Sequence, residues 1–251
     1  MITFNKRLKL LVCLIFISGS IIWSQSQSGW RGPGRSGIYN ETGLLKTWPS
    51  SGPKLLWEIT GMGGGYSSVT VSNDAIYITG RKGEKDVLTS YSQDGRKNWE
   101  VIYGNISKSN YPDSRCTPTY SNGKIFLVSG EGDMVCAGKD GKIIWSVNYF
   151  QKYRAKTPQF GISESPLIVD NKVIGTPGGN VTSMVAFNVD KGNVVWETPP
   201  INDGTNYVNP LLIENGGMKI IVTLTAGHII AVNSANGKLS WSHGVSSLSS
   251  V

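Results

Sequence analysis

Five polar or aromatic residues stand where short strands are predicted to begin, and their side chains suggest ligand chemistry. They are Tyr66, Arg115, Glu164, Tyr207 and Asn209. A guanidinium such as that of Arg115 fits a carboxylate through two parallel hydrogen bonds. The Glu164 carboxylate offers oxygen to a hard cation such as calcium. The alternative is that all five are polar channel residues, solvated by water or paired with one another.

Other arrangements that could carry chemistry lack the context they need. His228 falls in a predicted strand and His243 in the last nine residues, so neither a histidine metal site nor a catalytic triad is predicted. The glycine-rich residues 61–65 lie between strands and do not open a helix, which argues against a phosphate-binding loop. Basic residues are scattered over turns without forming a run, so no nucleic-acid partner is predicted.

The elements that must position the five residues are copies of one short phrase. A turn glycine precedes a tryptophan by four residues at 95–99, 141–145, 192–196 and 237–241, and residues 53–57 are a copy without the turn. The tryptophans, at 57, 99, 145, 196 and 241, are therefore 42 to 51 residues apart. Such a period, built from short strands, predicts a radial β array. The tryptophans are predicted to pack between neighbouring sheets.

Each copy predicts four strands. The first strands are predicted at residues 68–71, 117–120, 165–168 and 209–212, the second at 75–79, 124–128, 172–176 and 219–223, and the third at 87–91, 134–137, 183–188 and 228–233. The fourth strand carries the tryptophan. Prolines recur in the first strands as Pro118, Pro166 and Pro210, which suits a strand start or a sheet edge. The sequence thus predicts an all-β fold, a β-propeller with four full four-stranded blades.

Residues 54–59 predict a fourth strand that has no first three strands before it. Propellers commonly close their ring with such a strand, which removes exposed edges. Here no three strands are left for it to join, so it is predicted to be an orphan N-terminal outer strand. We therefore expect the N-terminal part of a truncated ring of seven or eight blades, the alternative being a small four-bladed ring with one unpaired strand. Residues 243–251 are predicted to be an irregular tail.

Residues 186–196, AFNVDKGNVVW, resemble the repeat of pyrroloquinoline-quinone (PQQ) propellers, as do residues 231–241. The resemblance runs from Trp30 to Trp241. Residues 30–37, WRGPGRSG, look like the opening of secreted bacterial PQQ-like propellers. We accordingly divide the sequence into a lead-in segment at 27–53 and PQQ-like repeats at 54–242. The resemblance implies the propeller fold; it does not by itself imply a quinone, because the family includes an outer-membrane assembly scaffold that binds none.

The sequence departs from the quinone-dependent enzymes in three ways. The aspartate of their repeat is replaced by Asn188, Asn233, Ser92 and Gly138, there is no pair of adjacent cysteines, and their calcium-binding set cannot be matched residue by residue. We therefore predict an exported binding or scaffold module that takes a protein partner, or a small alcohol or sugar, at the propeller mouth. The alternative is a PQQ-dependent alcohol, polyvinyl-alcohol or sugar dehydrogenase or a fragment of one. In that case the five residues would bind PQQ and Glu164 would bind calcium.

Residues 1–26 have the order of a secretory signal. Three cations precede an apolar run at 10–17, and small residues follow at a plausible cleavage point near Ser26. Cleavage removes Lys6, Arg7 and Lys9, which lowers the formal net charge from +7 to +4. No transmembrane segment is predicted after cleavage, and the predicted location is periplasmic or secreted. Export permits a disulfide, but Cys116 and Cys136 are predicted to be two separate thiols.

Overall fold

A computed structural model describes residues 27–245 as four antiparallel four-stranded sheets, each built from consecutive strands. Blade 1 contains β1 (Thr70–Val71), β2 (Ile76–Lys82), β3 (Lys85–Tyr91) and β4 (Lys97–Asn105). Blade 2 contains β5 (Thr119–Ser121), β6 (Lys124–Val128), β7 (Asp133–Gly138) and β8 (Ile143–Asn148), followed by the short helix α1 (Tyr149–Lys152). Blade 3 contains β9 (Leu167–Val169), β10 (Lys172–Gly175), β11 (Val185–Asn188) and β12 (Val194–Glu197). Blade 4 contains β13 (Leu211–Asn215), β14 (Met218–Leu224), β15 (His228–Asn233) and β16 (Leu239–Gly244).

The predicted all-β propeller of four-stranded blades is confirmed, and the four blades do not close into a ring. Two apolar clusters hold neighbouring blades together, a larger one spanning blades 1 to 3 and a smaller one between blades 3 and 4. No helix of residues 27–245 is long and apolar enough to cross a membrane. The predicted signal and most of the predicted tail lie outside the described residues.

The inner strand of every blade begins two residues later than the sequence predicted. The cause is visible at Ser68, Thr117 and Ser165, whose backbone N–H groups donate to a side chain of the next blade instead of to their own sheet. In blades 2 to 4 the following residue is proline, which has no N–H to give to a ladder. These two positions therefore join blades to one another, and strand pairing begins after them.

Every repeated tryptophan that is followed by another blade packs on a turn glycine of that blade, which confirms the predicted packing between neighbouring sheets. A Cβ added to Gly192 would lie 2.7 Å from the indole of Trp145, and one added to Gly237 would lie 2.6 Å from that of Trp196. The same glycines have φ of 69° and 73°, which side chains disfavour. The indole Nε1 of Trp145 also donates to the Val189 carbonyl at 3.0 Å. The rings of Trp99, Trp145 and Trp196 are thus fixed between two sheets by contact and by a hydrogen bond.

The predicted orphan strand at residues 54–59 is not a strand in the structure, where these residues pair with no sheet. Its tryptophan nevertheless takes the expected place, because Trp57 lies against Gly95 of blade 1 just as Trp145 lies against Gly192. A strand needs a neighbouring strand to satisfy its backbone groups, and the indole contact alone does not supply one. At the other end of the array, Trp241 is 45% exposed.

The two cysteines of the described region are free thiols and both are buried, as predicted. Cys116 lies just before β5, where its sulfur accepts the Val128 N–H at 3.1 Å. Cys136 lies in β7 opposite Trp145. Burial raises the pKa of each thiol to about 12, so both are neutral, unreactive parts of the core.

Candidate functional site

A chain of hydrogen bonds links the inner strands around the channel and uses one predicted site residue. The Ser68 N–H donates to Thr117 Oγ1 and the Thr117 N–H donates to Ser165 Oγ, each at 3.0 Å. The Ser165 N–H then donates to Asn209 Oδ1. Residues 68, 117, 165 and 209 are therefore one structural position repeated in four blades. The side chain of Asn209 is committed to holding blade 3 against blade 4.

Counting back two residues from that position gives residues 66, 115, 163 and 207. Three of the predicted site residues, Tyr66, Arg115 and Tyr207, share this position. Because all the inner strands run in the same direction, these residues lie at one mouth of the channel. Glu164 is offset from them by one residue, and along an extended chain such a shift turns a side chain to the opposite face. Residue type alone does not distinguish Glu164 from the other three, because all four precede an inner strand.

Residues of the shared position and two loop residues form an arc of aromatic rings around one arginine, which we call the aromatic arc (Tyr66, Tyr111, Arg115, Phe160 and Tyr207). The Arg115 guanidinium lies 5.5 Å from the centre of the Tyr66 ring, close enough for a cation–π contact. Ring centres are 5.5 Å apart between Tyr111 and Phe160 and 5.8 Å apart between Phe160 and Tyr207. The Tyr207 hydroxyl accepts the Phe160 N–H at 3.0 Å. Loops from three blade connections thus converge at one mouth.

Arg115 is held in the arc by backbone carbonyls. Its Nη1 donates to the Asp113 carbonyl at 3.1 Å and its Nη2 donates to the Tyr111 carbonyl. The exposed fractions of Tyr66, Tyr111 and Tyr207 are 66%, 49% and 36%. The arc therefore presents aromatic surface and one fixed cation to the solvent, which suits the binding of a partner or a ring-shaped ligand.

Glu164 is turned into the wall of the channel. It is 3% exposed, and its Oε2 accepts the Tyr149 hydroxyl at 2.9 Å and the Thr176 N–H at 3.1 Å. Its Oε1 is buried and has no hydrogen-bond partner within residues 27–245. Burial raises the pKa of the carboxyl group to about 7, against the opposing effect of the two hydrogen bonds and of the Arg35 cation.

A second buried acid, Asp86, which was not among the predicted site residues, lies near Arg115. Asp86 in β3 is 1% exposed, accepts the Gly130 N–H at 2.7 Å and accepts the Ser114 hydroxyl. Burial raises the pKa of Asp86, although both hydrogen bonds and the positive charge of Arg115 oppose the change. Asp86 ties blade 1 to the turn between β6 and β7. An aspartate within a strand of this kind gives no sequence signal that distinguishes it from a surface residue.

A histidine–aspartate pair supports the loop that carries Tyr207. His228 Nδ1 lies 2.7 Å from Asp203 Oδ2, which also accepts the Thr225 hydroxyl at 2.7 Å and the Gly227 N–H at 3.0 Å. Burial works against ionisation, but these three hydrogen bonds together lower the pKa of Asp203. The pair joins the loop before β13 to the hairpin between β14 and β15, so it positions the aromatic arc.

The residues do not fit a calcium–quinone site centred on Glu164. The carboxylate is closed off by Tyr149 and Thr176, and the one oxygen left without a partner is buried in the channel wall. Asn209 is used between blades, and Arg115 is already bonded to two carbonyls. Residues 27–245 contain no group of three or more histidine, cysteine, aspartate or glutamate side chains placed to hold a metal ion.

Comparison with known proteins gives one family match and several partial similarities. The model of a family described as outer membrane protein assembly factor BamB, of the PQQ repeat type, matches residues 104–250, more than half of the chain. The quinoprotein alcohol dehydrogenase PedH of Pseudomonas putida is 27% identical over 156 residues, which cover 58% of this chain and 25% of that protein. The chain thus spans a quarter of the length of this curated relative.

Two solved structures have a related fold at low identity. A europium-containing methanol dehydrogenase is 13% identical with a TM-score of 0.44, covering 77% of this chain and 54% of its own. BamB from Moraxella catarrhalis is 16% identical with a TM-score of 0.46, covering 71% of this chain and 48% of its own. The present chain therefore spans about half the length of each.

Proposed function

The chain belongs to the PQQ-like repeat family whose model is described as outer membrane protein assembly factor BamB, and from that membership we propose that it is an exported binding or scaffold module. A protein partner binds at the aromatic arc. The observation that carries the proposal is the separation of the candidate residues: Tyr66, Arg115 and Tyr207 lie together at the surface, whereas Glu164, the candidate calcium ligand, is closed into the wall.

The composition of the arc supports a protein partner. Tyrosine and arginine are enriched among the residues that dominate protein–protein binding energy. Tyrosine does so because it buries a large rigid area with only two side-chain torsions. Arg115 is already fixed by two carbonyls, so little side-chain entropy remains to be lost on binding. We expect truncation of Tyr66 or Tyr207 to alanine to weaken the complex by about 2 kcal/mol, which is roughly a 30-fold change in Kd.

Photo-crosslinking tests the location of the partner surface. A photoreactive amino acid is introduced at residue 66 or 207 of the full-length protein in its own cells, and at Ile144 in β8 as the control. Ile144 is 48% exposed but belongs to an outer strand away from the arc. We expect one product of the same mass from both arc positions, its loss when Arg115→Ala is added, and no such product from residue 144. Equal products at all three positions would refute the arc as the partner surface.

Calorimetric titration tests the alternative function, a PQQ-dependent alcohol dehydrogenase. The 27% identity to PedH favours this alternative. PQQ together with calcium is titrated into the folded protein. The scaffold proposal predicts no binding at micromolar concentrations. Micromolar binding that Arg115→Ala weakens tenfold or more would favour the enzyme, and the next experiment would be an alcohol screen with an artificial electron acceptor.

A further inference from the structure

The hydroxyl contacts between inner strands are interrupted at blade 3. Thr70 Oγ1 donates to the Pro118 carbonyl at 2.5 Å, and Thr119 Oγ1 donates to the Pro166 carbonyl at 2.6 Å. The strand registers place Leu167 at the same position in blade 3, since it pairs with the second strand of its blade as Thr70 and Thr119 do. Leucine has no donor, so the Pro210 carbonyl receives none from blade 3.

Arg35 of the lead-in supplies the missing donor. Its Nη1 donates to the Pro210 carbonyl at 3.1 Å, and its Nη2 donates to the Ser165 carbonyl at 3.0 Å and to the Pro166 carbonyl. Arg35 is only 5% exposed although it lies outside the repeats. One guanidinium therefore bridges the inner strands of blades 3 and 4 where the repeat itself provides no hydroxyl. Hydrogen bonds from a charged donor are stronger than those from a neutral one.

The lead-in also pairs with blade 2. The Ser28 N–H donates to the Tyr120 carbonyl at 3.0 Å, and the Tyr120 N–H donates to the Ser28 carbonyl at 2.8 Å. Gly29 lies so close to the inner strand that an added Cβ would be 3.2 Å from the Pro118 carbonyl oxygen. Tyr120 is near the end of β5, so this contact lies toward the mouth opposite Arg115, which precedes the strand.

We propose that residues 28–37 are a built-in plug of the propeller channel, locked by Arg35 in place of the threonine that blade 3 lacks. The plug lies along the inner edges of blades 2, 3 and 4 and covers them where Ser28 and Arg35 make their hydrogen bonds. A ligand or partner therefore approaches these inner edges from the end where the aromatic arc lies. This inference is independent of which function the arc serves.

Hydrogen exchange at Tyr120 tests the plug, because that amide is bonded to the lead-in and not to its own hairpin. In the full-length protein we expect the Tyr120 amide to be protected, and Arg35→Ala to speed its exchange at least tenfold. Arg31→Ala is the matched control, since Arg31 is exposed and bonds only within the lead-in, to the Ser36 carbonyl. An unprotected Tyr120 amide in the wild type, or unchanged exchange in a folded Arg35→Ala protein, would overturn the plug.

A second pair of variants tests the substitution of Arg35 for a threonine. Leu167→Thr introduces a hydroxyl where it can reach the Pro210 carbonyl. We expect Arg35→Ala to lower the melting temperature less in the Leu167→Thr background than in the wild type, while the Tyr120 amide exchanges quickly in the double variant. If Arg35→Ala lowers the melting temperature as much in the Leu167→Thr background as in the wild type, Arg35 does not replace a threonine. Failure of the double variant to fold would refute the replacement as well.

Discussion

The buried carboxyl group of Glu164 should make the stability of the protein depend on pH, and Glu164→Gln should remove that dependence. The amide oxygen of glutamine can accept the same two hydrogen bonds, from the Tyr149 hydroxyl and the Thr176 N–H, at 2.9 and 3.1 Å. The amide NH₂ takes the place of Oε1, which has no hydrogen-bond partner in the described region. The substitution thus keeps the shape and the two hydrogen bonds and removes the charge that appears on ionisation, while the cost of burying the amide NH₂ without an acceptor is the same at every pH.

The magnitude follows from the pKa of the carboxyl group. Burial, the largest cause, raises the pKa of Glu164 from 4.5 to about 7. Between these values the folded protein holds a proton that the unfolded chain releases, so the free energy of unfolding falls as the pH rises. At about 1.4 kcal/mol for each pH unit, the loss is about 3 kcal/mol and is complete just above pH 7.

Urea unfolding at pH 4.5, 6, 7 and 8 measures this difference. Every other titrating group contributes equally to both proteins, so the gap in unfolding free energy between Glu164→Gln and wild type isolates the one carboxyl group. We expect the gap to grow in favour of Glu164→Gln by about 3 kcal/mol from pH 4.5 to pH 8. Glu41→Gln, at an exposed position, is the control and should leave the slope unchanged. Parallel profiles for Glu164→Gln and wild type would show that the carboxyl group is not buried as described.

Two further predictions concern the packing between blades, and urea unfolding measures both. Gly192→Ala places a Cβ 2.7 Å from the Trp145 indole and should destabilise the fold by about 2 kcal/mol more than Gly123→Ala, which has a similar positive φ but open space around it; equal losses would remove the indole contact as the cause. Trp196→Ala should cost about 3–5 kcal/mol, because the ring is 7% exposed. Trp241→Ala, at 45% exposure, should cost less than about 1 kcal/mol, and similar losses for the two would contradict the packing scheme.

The architecture could be predicted because its signals are local and repeated. The turn glycine and the tryptophan four residues later lie in one short segment of each blade, and a residue with positive φ beside a large ring leaves few alternatives to glycine. The strand starts were predicted less well, because the N–H groups of Ser68, Thr117 and Ser165 are used by the next blade. Their partners lie 44 to 49 residues away, a separation at which no pattern in a single strand can register the bond.

The candidate site was predicted only in part for a related reason. Tyr66, Arg115 and Tyr207 come together because they hold one position in three blades, whereas Tyr111 and Phe160 join them from irregular loops with no repeat to mark them. Asn209 looked like a ligand-binding side chain, yet it performs the task of Thr117 and Ser165 in the neighbouring blades. A polar side chain at a channel gives the same sequence signal whether it faces a ligand or the next blade.

Comparison of equivalent positions in the four blades distinguishes residues that join blades from residues that are free to bind a ligand, whereas residue type alone does not. The position that forms hydrogen bonds between blades carries serine, threonine or asparagine, and in blades 2 to 4 its side chain offers an oxygen to the N–H of the preceding blade. The position two residues earlier does not form this hydrogen bond between inner strands. Its residue type varies: Tyr66, Arg115, Ser163 and Tyr207. Residues free of a framework role can differ without loss of the fold, so we expect the determinants of partner binding at this earlier position. By the same reasoning Arg35 belongs to the framework although it lies outside the repeats, because it supplies the donor that Leu167 lacks.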